Sequence, residues 1–440
     1  MCLLRQFKHF NILQKIRKNC YLFSILKKLD IYCFLLYTTI MLQRPDYLSK
    51  LIGYKDKEII KVVTGIRRCG KSTLLQLYSA WLKENGIAPR QIQAINFEDA
   101  NFSHLSNFKV LHDHVLNACL PGLMNYIFLD EVQHVGDFQR AVDSLFLRKN
   151  IDLYITGSNA RLLSGELATL LSGRYVEIPM LPLSFREYLS SFDNQHDLPG
   201  KYRDYVMNSS FPYSLKLRGD PQQIRDYLGG IYNTIVLKDI VQRKKIADVS
   251  LLELVIRFMF DNIGNLCSVK KIADTLVSSG RRISVNTLES YLCALTDSFV
   301  LYRVGRYDVR GKQHLKTGHK YYLADPGLRF YLLGSKGSDA GRILENVVYL
   351  ELLRRGWELY IGKIDDKELD FIAQRGGERE YYQVSLSVRD EVTLERELRP
   401  LHAVKNSYPK YLLTMDDDPP ADNNGIQRIN VLDWLSAAGA

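Results

Sequence analysis

Residues 65–72 read Gly-Ile-Arg-Arg-Cys-Gly-Lys-Ser, and they follow the β-branched run "IIKVVT". The stretch fits G-x-x-x-x-G-K-[ST], with a strand before it and a helix after it. Gly65 and Gly70 permit backbone angles that aim successive N–H groups inward at phosphate oxygens. A helix starting near Lys71 points the positive end of its dipole at the same anion. Lys71 carries a full charge for β- and γ-phosphates, and the Ser72 hydroxyl suits Mg²⁺. Arg68, Cys69 and Thr73 complete the stretch that would line a nucleotide. Arg67 and Arg68 suit either phosphate or a partner. The plain alternative is a strand turning into a helix.

A second set lies further on. "YIFLDE" (126–131) is an apolar strand ending in two carboxylates. At the edge of a parallel sheet beside a phosphate loop, Asp130 would hold Mg²⁺, and Glu131 would orient and deprotonate an attacking water. Glu98 and Asp99 also end a strand, "INFED", and read more simply as a solvated end.

These residues need a frame. Strand-like segments at 59–64, 92–99, 126–131, 152–158 and 175–180 alternate with helical ones such as "STLLQLYSAWLKEN" (72–85). That alternation predicts a parallel sheet with helices on both faces. Two further positions depend on the order of its strands. If it is that of AAA-type ATPases, Ser158 and Asn159 of "ITGSN" fall beside Asp130, where a polar group senses γ-phosphate or positions water; otherwise they form a turn. Arg174, before the fifth strand, would then act as an arginine finger on a neighbouring subunit's nucleotide, or else be an exposed turn residue.

"TGIRRCGKSTLL", "INFED", "YIFLDEVQ", "TGSNARLLSGELATLLSGRYVEIPMLPLSFREYL" and "YYLADPGLRFYLLG" together resemble a bacterial family of AAA-type, ATP-binding proteins with an uncharacterised C-terminal domain. The resemblance covers residues 41–438. It implies ATP binding with Mg²⁺, hydrolysis and a cytoplasmic location, and it supplies no biological role.

Downstream, 250–264, 268–280 and 284–298 have helical spacing, with Ser268 and Ser284 as N-caps, and 299–325 reads as two strands around a basic loop. Helix, helix, hairpin is the order of a winged helix. Ser284, Asn286, Thr287 and Ser290 would be its exposed recognition positions. Arg281, Arg282, Arg310, Lys312, Lys316 and Lys320 would be its phosphate contacts to duplex DNA. Such modules also bind protein or pack as lids. After a helix from Arg342, the strands "ELDFIAQ", "EYYQVSLS", "KYLLTM" and "GIQRINVLDWL" predict a small α/β domain. Glu345 and Asp370 resemble the first carboxylates of a restriction-endonuclease-like site. Gln383-Val384-Ser385 stands where such a site has Glu-x-Lys, so the domain is expected to be catalytically inactive.

The predicted fold class is therefore α/β. A P-loop, AAA-type parallel-sheet domain (41–200) precedes a helical linker and winged-helix region (201–334) and a small α/β restriction-endonuclease-like domain (335–440). The expected function is nucleotide-controlled engagement of DNA or a protein partner, with homo-oligomerisation possible. The alternatives are a signalling or scaffold ATPase without nucleic-acid contact and an ATP-regulated nuclease.

Composition narrows the classes. Hydrophobic residues are 46% and charged residues 25%, ordinary for a globular protein. The seven cysteines are scattered without a CxxC, which argues against a disulfide framework or zinc site and for a reducing compartment. The net charge is +10, but residues 1–40 hold seven basic residues against Asp30 alone, a balance of +6, leaving +4 for the rest. The basic excess is thus weak evidence for a nucleic-acid partner. Residues 31–42 form an uncharged run too short for a membrane helix. The contrast in composition suggests that Met41 is the natural start and that 1–40 is an upstream extension; the alternative is a basic helical arm.

Overall fold

The computed structural model describes residues 42–437 apart from 161–172, 195, 243, 279, 312 and 336. The 1–40 extension, Met41 and Lys312 therefore lie outside the described residues, as does the side chain of Lys316.

After helix α1 (Pro45–Gly53), strand β1 (Ile60–Thr64) enters fully buried. Helix α2 (Lys71–Glu84) follows, then β2 (Ile92–Asn96), α3 (Phe108–Ala118), β3 (Asn125–Asp130), α4 (Phe138–Phe146), β4 (Ile151–Gly157) and β5 (Tyr175–Pro179). All five strands are parallel, in the order β2-β3-β4-β1-β5. This is the P-loop ATPase arrangement expected from the sequence. Because β4 is inserted between β1 and β3, the chain leaves β1 and β3 on either side of the β4 terminus. Such a switch point at the carboxyl edge of a parallel sheet is where ligands bind.

Strand alternation sorts the core. Ile60, Val62, Ile127, Leu129 and Ile155 face α3 and α4, packing on Leu111, Val115, Val142 and Leu145. Val63, Phe128 and Tyr154 face the other way, onto Leu74 and Tyr78 of α2. That second core continues without a break into the helices downstream, including Ile224, Leu228, Leu252, Ile256 and Leu295. The parallel sheet and the helical region thus share one apolar core.

The chain continues through α5 (Phe185–Leu189), α6 (Leu198–Asn208) and α7 (Pro221–Asn233), which runs straight into a π-helical stretch, Thr234–Gln242. Then come α8 (Val249–Asp261), α9 (Val269–Ser278), α10 (Val285–Asp297) and the antiparallel strands β6 (Leu301–Asp308) and β7 (Gln313–Leu323). Cys267 and His319 exchange backbone hydrogen bonds of 2.8 and 3.1 Å, tying the start of α9 to β7.

After α11 (Pro326–Leu333), the last section builds α12 (Ala340–Arg354), β8 (Glu358–Ile364), β9 (Lys367–Arg375), β10 (Glu378–Ser385), α13 (Glu391–Ala403), β11 (Lys410–Thr414), β12 (Ala421–Asp422), β13 (Gln427–Asn430) and α14 (Val431–Ser436). Its mixed sheet has the order β12-β13-β11-β10-β9-β8-β6-β7. The hairpin thus joins this sheet: β6 lies parallel to β8 with Arg306 opposite Ile361. The boundary placed near 334 cuts through the connectivity of a single sheet. Among the described residues no helix is long and apolar enough to cross a membrane.

Candidate nucleotide site at the sheet edge

At the end of β1 the backbone must pass under the chain leaving β5. Met180 N donates to Thr64 O at 2.7 Å, and a Cβ on Gly65 would meet Met180 O at 2.1 Å. Gly65 also has φ +147°, so only glycine fits there. Arg68 (φ +69°) and Gly70 (φ +107°) then turn the loop into α2. Gly70 caps α2 without a side chain, leaving the first N–H groups of the helix free of a side-chain acceptor. By contrast Asp220, Asp248 and Ser284 cap α7, α8 and α10. A helix start of this kind is suited to an anion.

The Lys71 ammonium is buried and folded back over the loop. It donates to Gly65 O (3.1 Å) and Ile66 O (3.4 Å) and lies 3.3 Å from Glu131 Oε1. Cys69 is buried in the core, and its N–H donates to Ile66 O at 3.3 Å; Arg68 is exposed, and Thr73 lies half-buried in the first turn of α2.

On the far side of β4 the two carboxylates diverge. Asp130 is hydrogen-bonded with Thr156 Oγ1 and Ser72, and burial raises its pKa against those hydroxyls. Glu131 adopts φ +56°, uncommon for a residue with a side chain, and its N–H donates to Thr156 Oγ1 at 2.9 Å. Burial alone would push its carboxyl upward. The Lys71 ammonium, with the Gln133 amide, the Arg67 charge and the Ser158 hydroxyl, brings it down to about 2 instead. Ser158 and Asn159 are buried at the end of β4, and Ser158 Oγ lies 3.4 Å from Gln133 Nε2.

The fold thus brings Gly65, Gly70, Lys71, Ser72, Asp130, Glu131 and Asn159 to one edge of the sheet. It does not bring Arg174 there. Arg174 precedes β5, at the end of the sheet away from the loop, and pairs with Asp143. Sequence reasoning missed two contributors, Thr156 and Asp239, and left the role of Arg67 open. Thr156 links Asp130 to Glu131 and was legible as a polar residue ending a buried strand. Arg67 is held by Glu98 and, bidentately at 3.0 and 3.1 Å, by Asp239 of the π-helical stretch. Asp239 lies 172 positions away and carries no local signal.

The residues fit Mg²⁺ and a triphosphate. Ser72 and Asp130 offer oxygen ligands side by side, as Mg²⁺ requires, and the uncapped helix start and the Lys71 ammonium are arranged for phosphate oxygens.

The C-terminal carboxylates have a different setting. Glu345 Oε1 accepts from Lys320 Nζ (2.8 Å) and Tyr322 Oη (2.6 Å). Lys320 also pairs with Glu368 at 2.8 Å and lies 3.8 Å from Asp370. Asp370 accepts from Val384 N, while Gln383 bridges to Glu397. Lys320, read as a wing residue for DNA, is instead buried against these acids, so it is not available to phosphate; Arg310 is exposed but paired with Asp365. Among the described residues no group of three or more His, Cys, Asp or Glu is arranged to hold a metal.

A family profile described as an AAA domain matches residues 57–189, and one described as a domain of unknown function matches 199–339. An uncharacterized protein of Haemophilus influenzae is 40% identical over 400 residues, covering 90% of this chain and 98% of that protein. An uncharacterized protein of Methanocaldococcus jannaschii is 29% identical over 373 residues, covering 80% of this chain and 79% of its own. Among solved structures, a Walker-type ATPase of Pyrococcus abyssi aligns over 66% of this chain and 96% of its own, at 16% identity and a TM-score of 0.46. On the near-complete match to the Haemophilus protein, this chain belongs to the same family, AAA-domain proteins in which a domain of unknown function follows the parallel-sheet domain.

Proposed function

We propose that this protein binds ATP with Mg²⁺ at residues 65–73 and hydrolyses it. The observation that carries the reading is the meeting of Lys71, Glu131, Asp130 and Ser72 at the switch point of the sheet. The amides from Gly65 to Thr73, Arg68 and Cys69 included, cradle the phosphates, and Lys71 binds the β- and γ-phosphates. Mg²⁺ held by Ser72 and Asp130 would neutralise charge on the same phosphates. Glu131 orients water and accepts its proton, and Asn159 positions that water. Paired with Lys71, Glu131 is a very weak base. The Lys71 ammonium leads the groups that lower the Glu131 carboxyl, ahead of Gln133, Arg67 and Ser158, so its transfer to phosphate makes Glu131 a stronger base when substrate is present. Arg174 lies too far along the sheet to serve its own site and acts on the nucleotide of a second copy.

The rest of the chain reads as the output of this site. Residues 249–323 make a winged helix, and the strands beyond form a nuclease-like, catalytically inactive domain whose Glu345 and Asp370 are engaged by Lys320. The exposed positions of α10, Ser284, Asn286 and Ser290, with Arg281 and Arg282 before it, offer a face for duplex DNA. The second reading, a cytoplasmic signalling or scaffold ATPase, is favoured by the loss of Lys320 from the wing's basic set. ATP turnover measured with and without duplex DNA separates the two. Stimulation that disappears in Arg281→Ala/Arg282→Ala supports DNA, and indifference to DNA supports the protein partner. Turnover per subunit rising with protein concentration supports Arg174 acting between copies.

A further inference from the structure

The run Asp-Glu-Val-Gln-His-Val puts Gln133 in the turn that follows the two carboxylates. Residues Val132–His134 form a single 3-10 turn. It is closed by His134 N donating to Glu131 O (3.2 Å) and Val135 N to Val132 O (3.0 Å). Val132 and Val135 stand three apart, so in such a winding they share one side, and both are buried in the core that α3 and α4 close. That anchoring leaves Gln133 on the other side of the turn, against Glu131 at the sheet edge.

The two oxygens of Glu131 have separate partners. Lys71 Nζ lies 3.3 Å from Oε1, whereas Gln133 Nε2 donates to Oε2 and also lies 3.4 Å from Ser158 Oγ. The amide nitrogen thus ties the turn after β3 to the end of β4. The amide oxygen is placed differently. Gln133 Oε1 is buried and accepts no hydrogen bond from any described residue. A clamp on Glu131 needs only the donor of this amide. A buried acceptor left unmatched costs about 1–3 kcal/mol, which a donor arriving with the substrate would offset.

We propose that Gln133 is a further residue of the hydrolytic site: its Nε2 fixes Glu131 through Oε2, and its Oε1 accepts one hydrogen of the attacking water. The inference rests on the ATP reading above. When Lys71 moves to phosphate it releases only Oε1 of Glu131, and Gln133 keeps the carboxylate from turning. Oε1 then takes the second hydrogen of the water. A water that donates to both groups turns a lone pair toward the γ-phosphorus. The bond from water oxygen to phosphorus forms as the bond from phosphorus to the bridging oxygen breaks. ADP leaves with that electron pair, and the proton of the water passes to Glu131. Gln133 gives up no proton. Its contribution therefore falls on turnover and not on ATP binding.

The test uses the full chain with Mg²⁺. It reads ATP turnover and the equilibrium binding of ATPγS and of ADP with aluminium fluoride, which imitates the phosphoryl group in flight. Gln133→Met fills a similar space without the donor or the acceptor. It should lower kcat and kcat/KM together by at least about tenfold and weaken the aluminium fluoride complex by a similar factor, while ATPγS affinity stays within about twofold. Gln133→Asn keeps an amide but draws it back by one methylene, and should give the same pattern. Retained ATPγS binding shows that the site is folded in each variant. The proposal is overturned if either variant that binds ATPγS turns over ATP as the wild type does. It is also overturned if ATPγS and the aluminium fluoride complex weaken equally, the result expected of a turn residue that only supports the fold. A wild type that binds no nucleotide sinks the ATP reading itself, whereas an active wild type beside an equally active Gln133→Met sinks only this assignment.

Discussion

Replacing Glu131 by Gln keeps the size and the left-handed backbone of the site while removing its charge. Two effects follow. The folded-state pKa of about 2 against an ordinary 4.5 corresponds to about 3 kcal/mol of stabilisation at neutral pH, at roughly 1.4 kcal/mol per unit. Because this pKa is depressed, the contribution is complete above pH 4.5 and is lost as pH falls from there toward 2. Glu131→Gln should therefore lower the denaturant midpoint at pH 7, and its deficit should shrink between pH 5 and pH 3. The second effect is on turnover. The loss of a general base lowers ATP hydrolysis by about a hundredfold or more. ATP affinity should hold or rise, because Lys71 no longer has to leave a carboxylate 3.3 Å away. Urea unfolding at several pH values, ATP binding and phosphate release together read all of this. Unchanged phosphate release, or a stability deficit that grows on acidification, would refute the reasoning.

Gly65→Ala places a methyl 2.1 Å from Met180 O at φ +147°, and should lower both the melting temperature and nucleotide affinity, by about 1–3 kcal/mol in stability. Asp325 is buried and accepts from Ser209, from Ser210 backbone and side chain, and from Leu328 N at the start of α11. Asp325→Ala leaves those donors unsatisfied and should cost about 2–4 kcal/mol in denaturant unfolding. Lys320→Met leaves Glu345, Glu368 and Asp370 facing one another, a loss of about 3–5 kcal/mol at pH 8. Burial and Glu345 hold Asp370 well above the usual carboxylate range, so this loss should begin to fade on acidification well before pH 4; thermal unfolding across pH 8 to 5 measures it.

The parallel sheet was legible because its signals are local. "IKVVT" is β-branched apart from Lys61, "YIFL" is an apolar run ending in Asp130, and the loop between β1 and α2 carries its chemistry in one octet. Lys71, Ser72, Asp130 and Glu131 could be placed together because both stretches end parallel strands, and β4 between them follows the expected order. The contacts that escaped are long-range ion pairs. Arg67 could be read as a phosphate or partner residue, but nothing near Asp239 marks it as the acceptor. Lys320 looked like a wing residue because it follows "HLKTGH"; only the pairing of β6 with β8 turns β7 toward Glu345 and Asp370. That pairing depends on β8 after Gly356, a strand the sequence does not announce, so the C-terminal sheet is larger than expected and takes in strands from both sides of residue 334. The π-helical winding of Thr234–Gln242 has no pattern of its own, and its apolar residues suit an ordinary helix equally well.

The most direct measurement is equilibrium binding of ATP to the full chain with and without Mg²⁺, for the wild type and for Lys71→Ala. Saturable, Mg²⁺-dependent binding that weakens at least about tenfold in the variant is predicted, since one charge-assisted contact is worth that much. Absence of Mg²⁺-dependent binding in the wild type, or equal affinity in Lys71→Ala, would contradict the account.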